Sequence, residues 1–121
     1  MDIVLEAHSG LRWLVLIGLA AVAIWALGRG REPVPPWPRW VGYVFILQVA
    51  LGLILWVANK GWTLGWFIAW WHPIAMIAAL GAFQVGMARA GDEDRPRILG
   101  LFTIVSILLI VLAIPWQRGL M

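Results

Sequence analysis

The sequence predicts an all-α integral membrane protein, folded as an up-down-up-down bundle of four transmembrane helices. Of its 121 residues, 63% are hydrophobic and 12% are charged, whereas soluble domains carry about 25% charged residues. The apolar residues form four continuous stretches, each close to the ~20 residues that a helix needs to cross a bilayer. The breaks between them are short, so consecutive helices are expected to run in opposite directions.

We expect a single membrane domain covering residues 1–121. Strands are a poor alternative, because the runs are continuous rather than alternating and four strands cannot close a barrel that satisfies its backbone in lipid. The four helices are predicted at about residues 5–28, 40–58, 66–88 and 98–116.

Helix-breaking residues mark the predicted connections. Residues 28–38 are rich in proline and cannot be helical through their middle. In the third connection, Asp94 is expected to cap helix four and Pro96 to lie in its first turn. Pro73 is expected either to begin the regular part of helix three or to kink it. Four glycines are predicted to allow close packing between helices: Gly42, Gly52, Gly81 and Gly86.

The distribution of basic residues indicates topology rather than nucleic-acid binding. The net charge is +3, but Lys and Arg are scattered singly or in pairs between apolar runs and form no basic stripe. Arg12, Lys60 and Arg118 fall on the side of the termini. Twice as many basic residues, all arginines, fall on the opposite side, which the positive-inside rule places in the cytoplasm: Arg29, Arg31, Arg39, Arg89, Arg95 and Arg97. Both termini are therefore expected outside.

Several kinds of chemistry are disfavoured by residues that the sequence lacks. It has no cysteine, which excludes iron–sulfur clusters, thiolate metal sites and the attachment of c-type haem. Apart from Glu6 at the start of the first span, no acidic residue lies within the predicted spans, whereas a proton-coupled transporter usually needs an intramembrane carboxylate. There is also no nucleophile beside a base. We therefore expect neither a proton-coupled transporter nor a hydrolase.

The sequence has two histidines, and they are predicted to lie at the same depth. His8 lies near the start of helix one and His72 near the start of helix three. At ~1.5 Å per residue, His8 is ~30 Å above Gly28 and His72 is ~26 Å above Arg89. A single haem with two axial histidines needs this placement. The alternative is that each is an interfacial polar residue without a special role.

Other residues near the histidines are candidates to bind the same ligand. Arg12 lies one turn from His8 on the same helical face, where it could bind a haem propionate or a quinone carbonyl. It could instead extend to the lipid headgroups. Trp71, next to His72, is expected to line a cofactor pocket. Gln48 and Gln84 are expected to form hydrogen bonds between helices.

Four segments, in this order along the chain, resemble a family of small bacterial four-helix membrane proteins labelled cytochrome b-like. They are HSGLRW (8–13), LQVALG (47–52), WHPIAM (71–76) and IPW (114–116). The resemblance implies haem b in a bacterial cytoplasmic membrane, with His8 and His72 as the matching histidines. Many members have a further histidine where this chain has Gln84, so the resemblance supports one haem site rather than two.

The leading hypothesis is a membrane b-type cytochrome, which binds one haem b near the outer face and exchanges electrons with quinol or a partner complex. Two alternatives remain open. One is a haem-free accessory or scaffold subunit of a larger respiratory or photosynthetic complex. The other is a binding protein for a quinone, a pigment or a metal ion. Aromatic faces in contact with lipid also predict a homo-oligomer or a larger redox complex.

The distribution of basic residues can be tested with a C-terminal fusion. A reporter that is active only in the cytoplasm should stay silent, because the C-terminus is expected outside. The same reporter inserted into the first connection, within residues 28–38, should be active. The reverse pattern would contradict the predicted orientation.

Overall fold

The computed structural model describes residues 2–63 and 65–113 and confirms the predicted fold class. Four of its helices are long and apolar enough to cross a membrane. Within the described residues there is no strand. The helices are α1 (Asp2–Leu27), α2 (Trp37–Ala58), α3 (His72–Glu93) and α4 (Pro96–Ala113). A 3₁₀ turn (Gly61–Thr63) and a π-helical turn (Phe67–Trp71) precede α3.

The core of the bundle is built from large apolar side chains of all four helices. Leu19, Phe45, Phe83 and Leu99 are each completely buried, and the rings of the two phenylalanines lie 6.3 Å apart. The outer surface is also apolar, with large side chains such as Ile24 78% exposed. Outward-facing apolar side chains are compatible with contact with a lipid bilayer.

α3 and α4 form the most extensive interface, and α2 and α3 form the smallest interface between helices adjacent in the chain. Gly86 permits the closest approach of α3 to α4, because a Cβ atom there would lie 2.6 Å from the Cβ of Phe102. Ser106 adds a hydrogen bond between these helices, donated to the carbonyl of Ala79 at 2.7 Å. Gly81 does not pack closely as predicted, since a Cβ atom there would meet nothing within 4 Å.

Contacts at the two ends of the bundle agree with helices of alternating direction. At one end, His8 near the start of α1 lies beside His72 at the start of α3. At the other end, the backbone N–H of Glu32 donates to the carbonyl of Asp94, 2.9 Å away. The starts of α1 and α3 therefore share one end, and the connections that follow them share the other.

Several helix ends differ from the predicted positions. α2 begins at Trp37 rather than at residue 40. The prolines at positions 36 and 38 are tolerated at its start, because the N–H groups of the first helical turn have no partner within the helix. The prediction for Asp94 was wrong, because it ends α3 in a left-handed conformation (φ 51°) instead of capping α4. Pro96 does lie in the first turn of α4. The predicted end of helix four at residue 116 falls outside the described residues.

Pro73 begins the regular part of helix three, which was one of its two predicted roles. It occupies the first turn of α3, immediately after the π-helical turn. Proline, which has no N–H to donate, follows the point where the N–H of His72 donates to the carbonyl of Phe67 in the π-helical turn. π-helical turns are frequent at functional sites. His72 is therefore located where an irregular turn meets a regular helix.

Candidate functional site

The structure brings His8 and His72 together, as their matching depth predicts. The centres of their rings lie 6.4 Å apart, and the ring planes are inclined by 79°. Metal–imidazole bonds are about 2 Å long, so two imidazoles on opposite sides of one metal ion have ring centres about 6 Å apart. The separation of the rings is therefore that of a pair of axial ligands.

Both imidazoles are held through the same nitrogen. Nδ1 of His8 lies 3.2 Å from the carbonyl oxygen of Gln48 on α2. Nδ1 of His72 lies 2.7 Å from the carbonyl oxygen of Ala113 on α4. A carbonyl oxygen can only accept a hydrogen bond, so each Nδ1 must carry the proton. Each Nε2 is then left with the lone pair that binds a metal.

The two carbonyls are available for different reasons. Ala113 is the last residue of α4, and the last four carbonyls of a helix have no partner within it. Trp71 binds another of them by donating its indole N–H to Leu112 at 3.0 Å. Gln48 lies inside α2, where backbone carbonyls accept the hydrogen bonds of the helix. Its backbone oxygen accepts the bond from His8 with its other lone pair. This sharing agrees with the longer distance at His8.

Gly52 makes room for His8 beside α2. A Cβ atom at position 52 would lie 2.8 Å from Cε1 of His8, closer than real side chains approach. Gly52 is also four residues after Gln48, so it is the residue above the carbonyl that His8 reaches. We predicted that Gly52 would let two helices pack closely. The structure shows that it accommodates the imidazole ring instead.

A small apolar cavity adjoins both imidazoles. Its volume is about 20 Å³, which is enough for about one water molecule. Besides the two histidines it is lined by Val49, Gly52, Leu53, Trp56, Pro73 and Met76. These side chains give a bound group a largely water-free environment.

Trp56, rather than Trp71, lines this cavity. The indole N–H of Trp56 donates to the carbonyl of Ile68 at 3.1 Å, which joins the end of α2 to the π-helical turn. Trp71 contacts α4 through its hydrogen bond to Leu112. Trp71 therefore helps to hold the segment next to His72 against α4. It is not among the residues that line the cavity.

Arg12 is located in the interior of the bundle. It is 8% exposed, and its guanidinium carbon lies 5.2 Å from the centre of the Trp13 ring. Arg12 lies one helical turn from His8 on the same face of α1. A cation in the interior of the bundle suits an anionic group bound nearby.

Among the described residues, neither glutamine side chain forms the predicted hydrogen bond between helices. Gln48 is buried, but it contacts His8 through its backbone carbonyl. Its side-chain oxygen has no hydrogen-bond partner in the part of the chain that the structure describes. Gln84 is exposed and borders a different cavity of about 350 Å³, together with Arg39 and Tyr43. It is therefore remote from the two-histidine site.

No His, Cys, Asp or Glu side chain of the described residues joins the two imidazoles, since there is no group of three or more such side chains there that could hold a metal ion. A metal ion bound between the imidazoles would thus receive two neutral nitrogen ligands from the histidines. The rest of its coordination would have to come from another neighbouring group or from a bound ligand.

Comparisons with protein-family models, curated proteins and solved structures find no match to this chain.

The hydrogen bonds at Nδ1 predict the tautomer of both histidines. In ¹⁵N-histidine NMR spectra of the ligand-free protein at about pH 8, above the ordinary titration range of histidine, Nδ1 should carry the proton and Nε2 should not. Single His8→Ala and His72→Ala variants assign the signals. A protonated Nε2 on either ring would contradict the arrangement.

Proposed function

We propose that this protein is a membrane b-type cytochrome in which His8 and His72 are the axial ligands of one haem b. The observation that carries the proposal is the pair of imidazoles, 6.4 Å apart, each held through Nδ1 by a backbone carbonyl. Such second hydrogen bonds are usual for metal-binding histidines, because they fix the tautomer and make the ligating nitrogen more basic.

The composition of the site favours haem over a bare metal ion. A divalent ion in an apolar environment needs charge compensation and four or more ligands, but the site offers two neutral imidazoles. A porphyrin supplies four equatorial nitrogens and two negative charges. Two histidines then complete the coordination of the iron. Arg12 lies where it can compensate the negative charge of a propionate.

The volume of the cavity favours a second candidate. A space of about 20 Å³ holds a single small ligand, whereas a porphyrin needs more. Binding of haem therefore requires lining side chains to move apart, and the small α2–α3 interface is where we expect this. Leu53 of α2, 39% exposed, and Met76 of α3 border the cavity there. The second candidate is a site for one metal ion with water or another small ligand.

The residues of the chain would provide binding, orientation and exclusion of water. Bound haem supplies a one-electron iron couple, which is the chemistry of the cofactor itself. His8 and His72 would hold the iron from two helices, and the carbonyls of Gln48 and Ala113 would fix the ring orientations. The apolar lining keeps water away, so little reorganisation accompanies a change of charge.

The location of the site suggests where electrons enter and leave. His8 and His72 both lie near the start of their helices, hence near one membrane surface. With the termini outside, this surface is the outer face of a bacterial cytoplasmic membrane. We infer that the protein passes electrons there to or from quinol or a partner redox complex, as a carrier rather than an independent enzyme.

Replacing the histidines tests the proposal. Purified wild-type protein should show the absorption bands of a six-coordinate low-spin b-type haem, which sharpen on reduction with dithionite. His8→Ala and His72→Ala should each remove the low-spin spectrum or lower the haem content by about tenfold or more. Helical content, measured by circular dichroism, should be unchanged.

The matched control is Gln84→Ala, which changes an exposed side chain away from the two histidines. It should leave the spectrum as in the wild type. Haem at normal occupancy in the His8→Ala/His72→Ala double variant would disprove the assignment. Stoichiometric metal without porphyrin, lost in the same variants, would favour the second candidate.

Replacing Arg12 should change the reduction potential. The charge of Arg12 favours the reduced iron, which carries one positive charge less. Arg12→Ala should retain the haem and lower its midpoint potential by tens of millivolts, since an interaction of about 1 kcal/mol corresponds to about 40 mV for one electron. Arg12→Lys keeps the charge and should shift the potential less. An unchanged potential in Arg12→Ala would show that Arg12 does not contact the cofactor.

A further inference from the structure

A second cavity lies at the opposite end of the bundle and is lined by arginines. Its volume is about 390 Å³, and its lining residues are Arg29, Gly30, Arg31, Arg95 and Arg97. We call this cavity the arginine cradle. Its volume is within the range of pockets that bind small molecules. Four guanidinium groups and one glycine make it a site for an anion.

The backbone brings these arginines together from two distant parts of the chain. Arg29 and Arg31 follow α1, whereas Arg95 and Arg97 flank the first residue of α4. The two segments are joined by the hydrogen bond from the N–H of Glu32 to the carbonyl of Asp94. Asp94 reverses the chain in a left-handed conformation, so that α4 starts beside the end of α1.

Three of the four arginines have no ion-pair partner among the described residues. In the described part of the chain, Arg29 contacts Glu32 with a nitrogen–oxygen distance of 4.0 Å. No carboxylate lies within that distance of Arg31, Arg95 or Arg97 in the same part of the chain. Like charges gathered around one cavity repel each other. A bound anion relieves this repulsion.

We propose that the arginine cradle binds the phosphate of an anionic phospholipid. Arginine forms paired, charge-assisted hydrogen bonds to phosphate oxygens. Basic pockets between transmembrane helices are known to hold lipid headgroups of this kind. The start of α4 also lies at the cradle, between Arg95 and Arg97. The N–H groups at the start of a helix favour negative charge.

The position of the cradle favours a lipid over a free anion. The first apolar span ends at Leu27 and the fourth begins at Pro96, so the arginines adjoin the ends of two spans, where lipid headgroups are expected. Leu101, four residues after Arg97 on the same face of α4, is 55% exposed and offers apolar surface to an acyl chain. Arg29 is anchored nearby, with its guanidinium carbon 5.6 Å from the centre of the Trp25 ring.

Lipid counting on the intact protein tests the proposal. Native mass spectrometry of protein released from detergent micelles measures binding of dioleoylphosphatidylglycerol, with zwitterionic dioleoylphosphatidylcholine for comparison. The wild type should bind the anionic lipid at least tenfold more tightly. The triple variant Arg31→Gln/Arg95→Gln/Arg97→Gln should bind it about 100-fold more weakly than the wild type, because three attractions to the headgroup are lost.

A control variant removes the same charge elsewhere. Arg39→Gln/Lys60→Gln/Arg89→Gln changes three basic residues that do not line the cradle and should reduce binding less than threefold. An equal loss in both triple variants would show a general effect of charge and overturn the proposal. Equal binding of the two lipids by the wild type would also overturn it.

Inorganic phosphate, added alone at millimolar concentration, distinguishes a lipid from a free anion. The lipid proposal expects it to displace little phosphatidylglycerol. Full displacement would overturn the assignment to lipid and show that the site takes free phosphate. Circular dichroism and the histidine ¹⁵N spectrum should be identical in all variants, since the substituted side chains are exposed. None of these outcomes depends on whether haem binds at the other end of the bundle.

Discussion

Two hydrogen bonds from imidazole to backbone carbonyl hold the pair of histidines on which the rest of this end of the bundle depends. The polar atoms of a side chain that lies between apolar helices need a partner. Here the half-buried His8 finds one inside α2 and the half-buried His72 finds one at the end of α4. Because both histidines use Nδ1, neither Nε2 atom takes part in these two hydrogen bonds. The two rings, from the starts of α1 and α3, thus lie side by side with their centres 6.4 Å apart.

Other features of this end of the bundle serve the same pair. Gly52 leaves space for the ring of His8. The ring can therefore reach the backbone carbonyl of Gln48. Pro73 starts the regular part of α3, so that His72 lies at a junction with the π-helical turn. Trp71 binds the carbonyl of Leu112, next to the one that His72 binds. For His72 and Trp71, the end of α4 thus provides the polar partners that a membrane interior lacks.

The sequence predicts the helices well because each is a long apolar stretch bounded by Pro, Gly and charged residues. It also predicts that His8 and His72 lie at the same depth in the membrane, where they can meet. The reason is that a helix rises by a fixed distance per residue. The side chains around them are less predictable. Trp56 and Trp71 have equally suitable positions along the chain, and the rotation of each helix decides which one lines the cavity. Asp94 was misassigned because residues favoured at the start of a helix also adopt the left-handed turn that ends one.

The two ends of the bundle differ in chemistry. One end holds two imidazoles and the buried Arg12, whereas the other presents the arginine cradle. The arginines of the cradle are among those on which the predicted topology depends. The same residues are thus assigned two roles, as topology signals and as ligands of a lipid phosphate. A lipid bound there would hold α1 and α4 together at the end remote from the histidines. Orientation and anchoring would thus depend on the same charges.

The electron paramagnetic resonance spectrum of the oxidised protein tests the central claim, that both histidines ligate one iron in the observed orientation. The planes of the two imidazoles are inclined by 79°. In bound haem, the two iron d orbitals that interact with these rings would therefore be nearly equal in energy. Ferric haem held this way should give the highly anisotropic low-spin signal of near-perpendicular axial imidazoles. A rhombic low-spin signal, typical of parallel rings, would contradict the observed orientation. A high-spin signal would contradict ligation by both histidines.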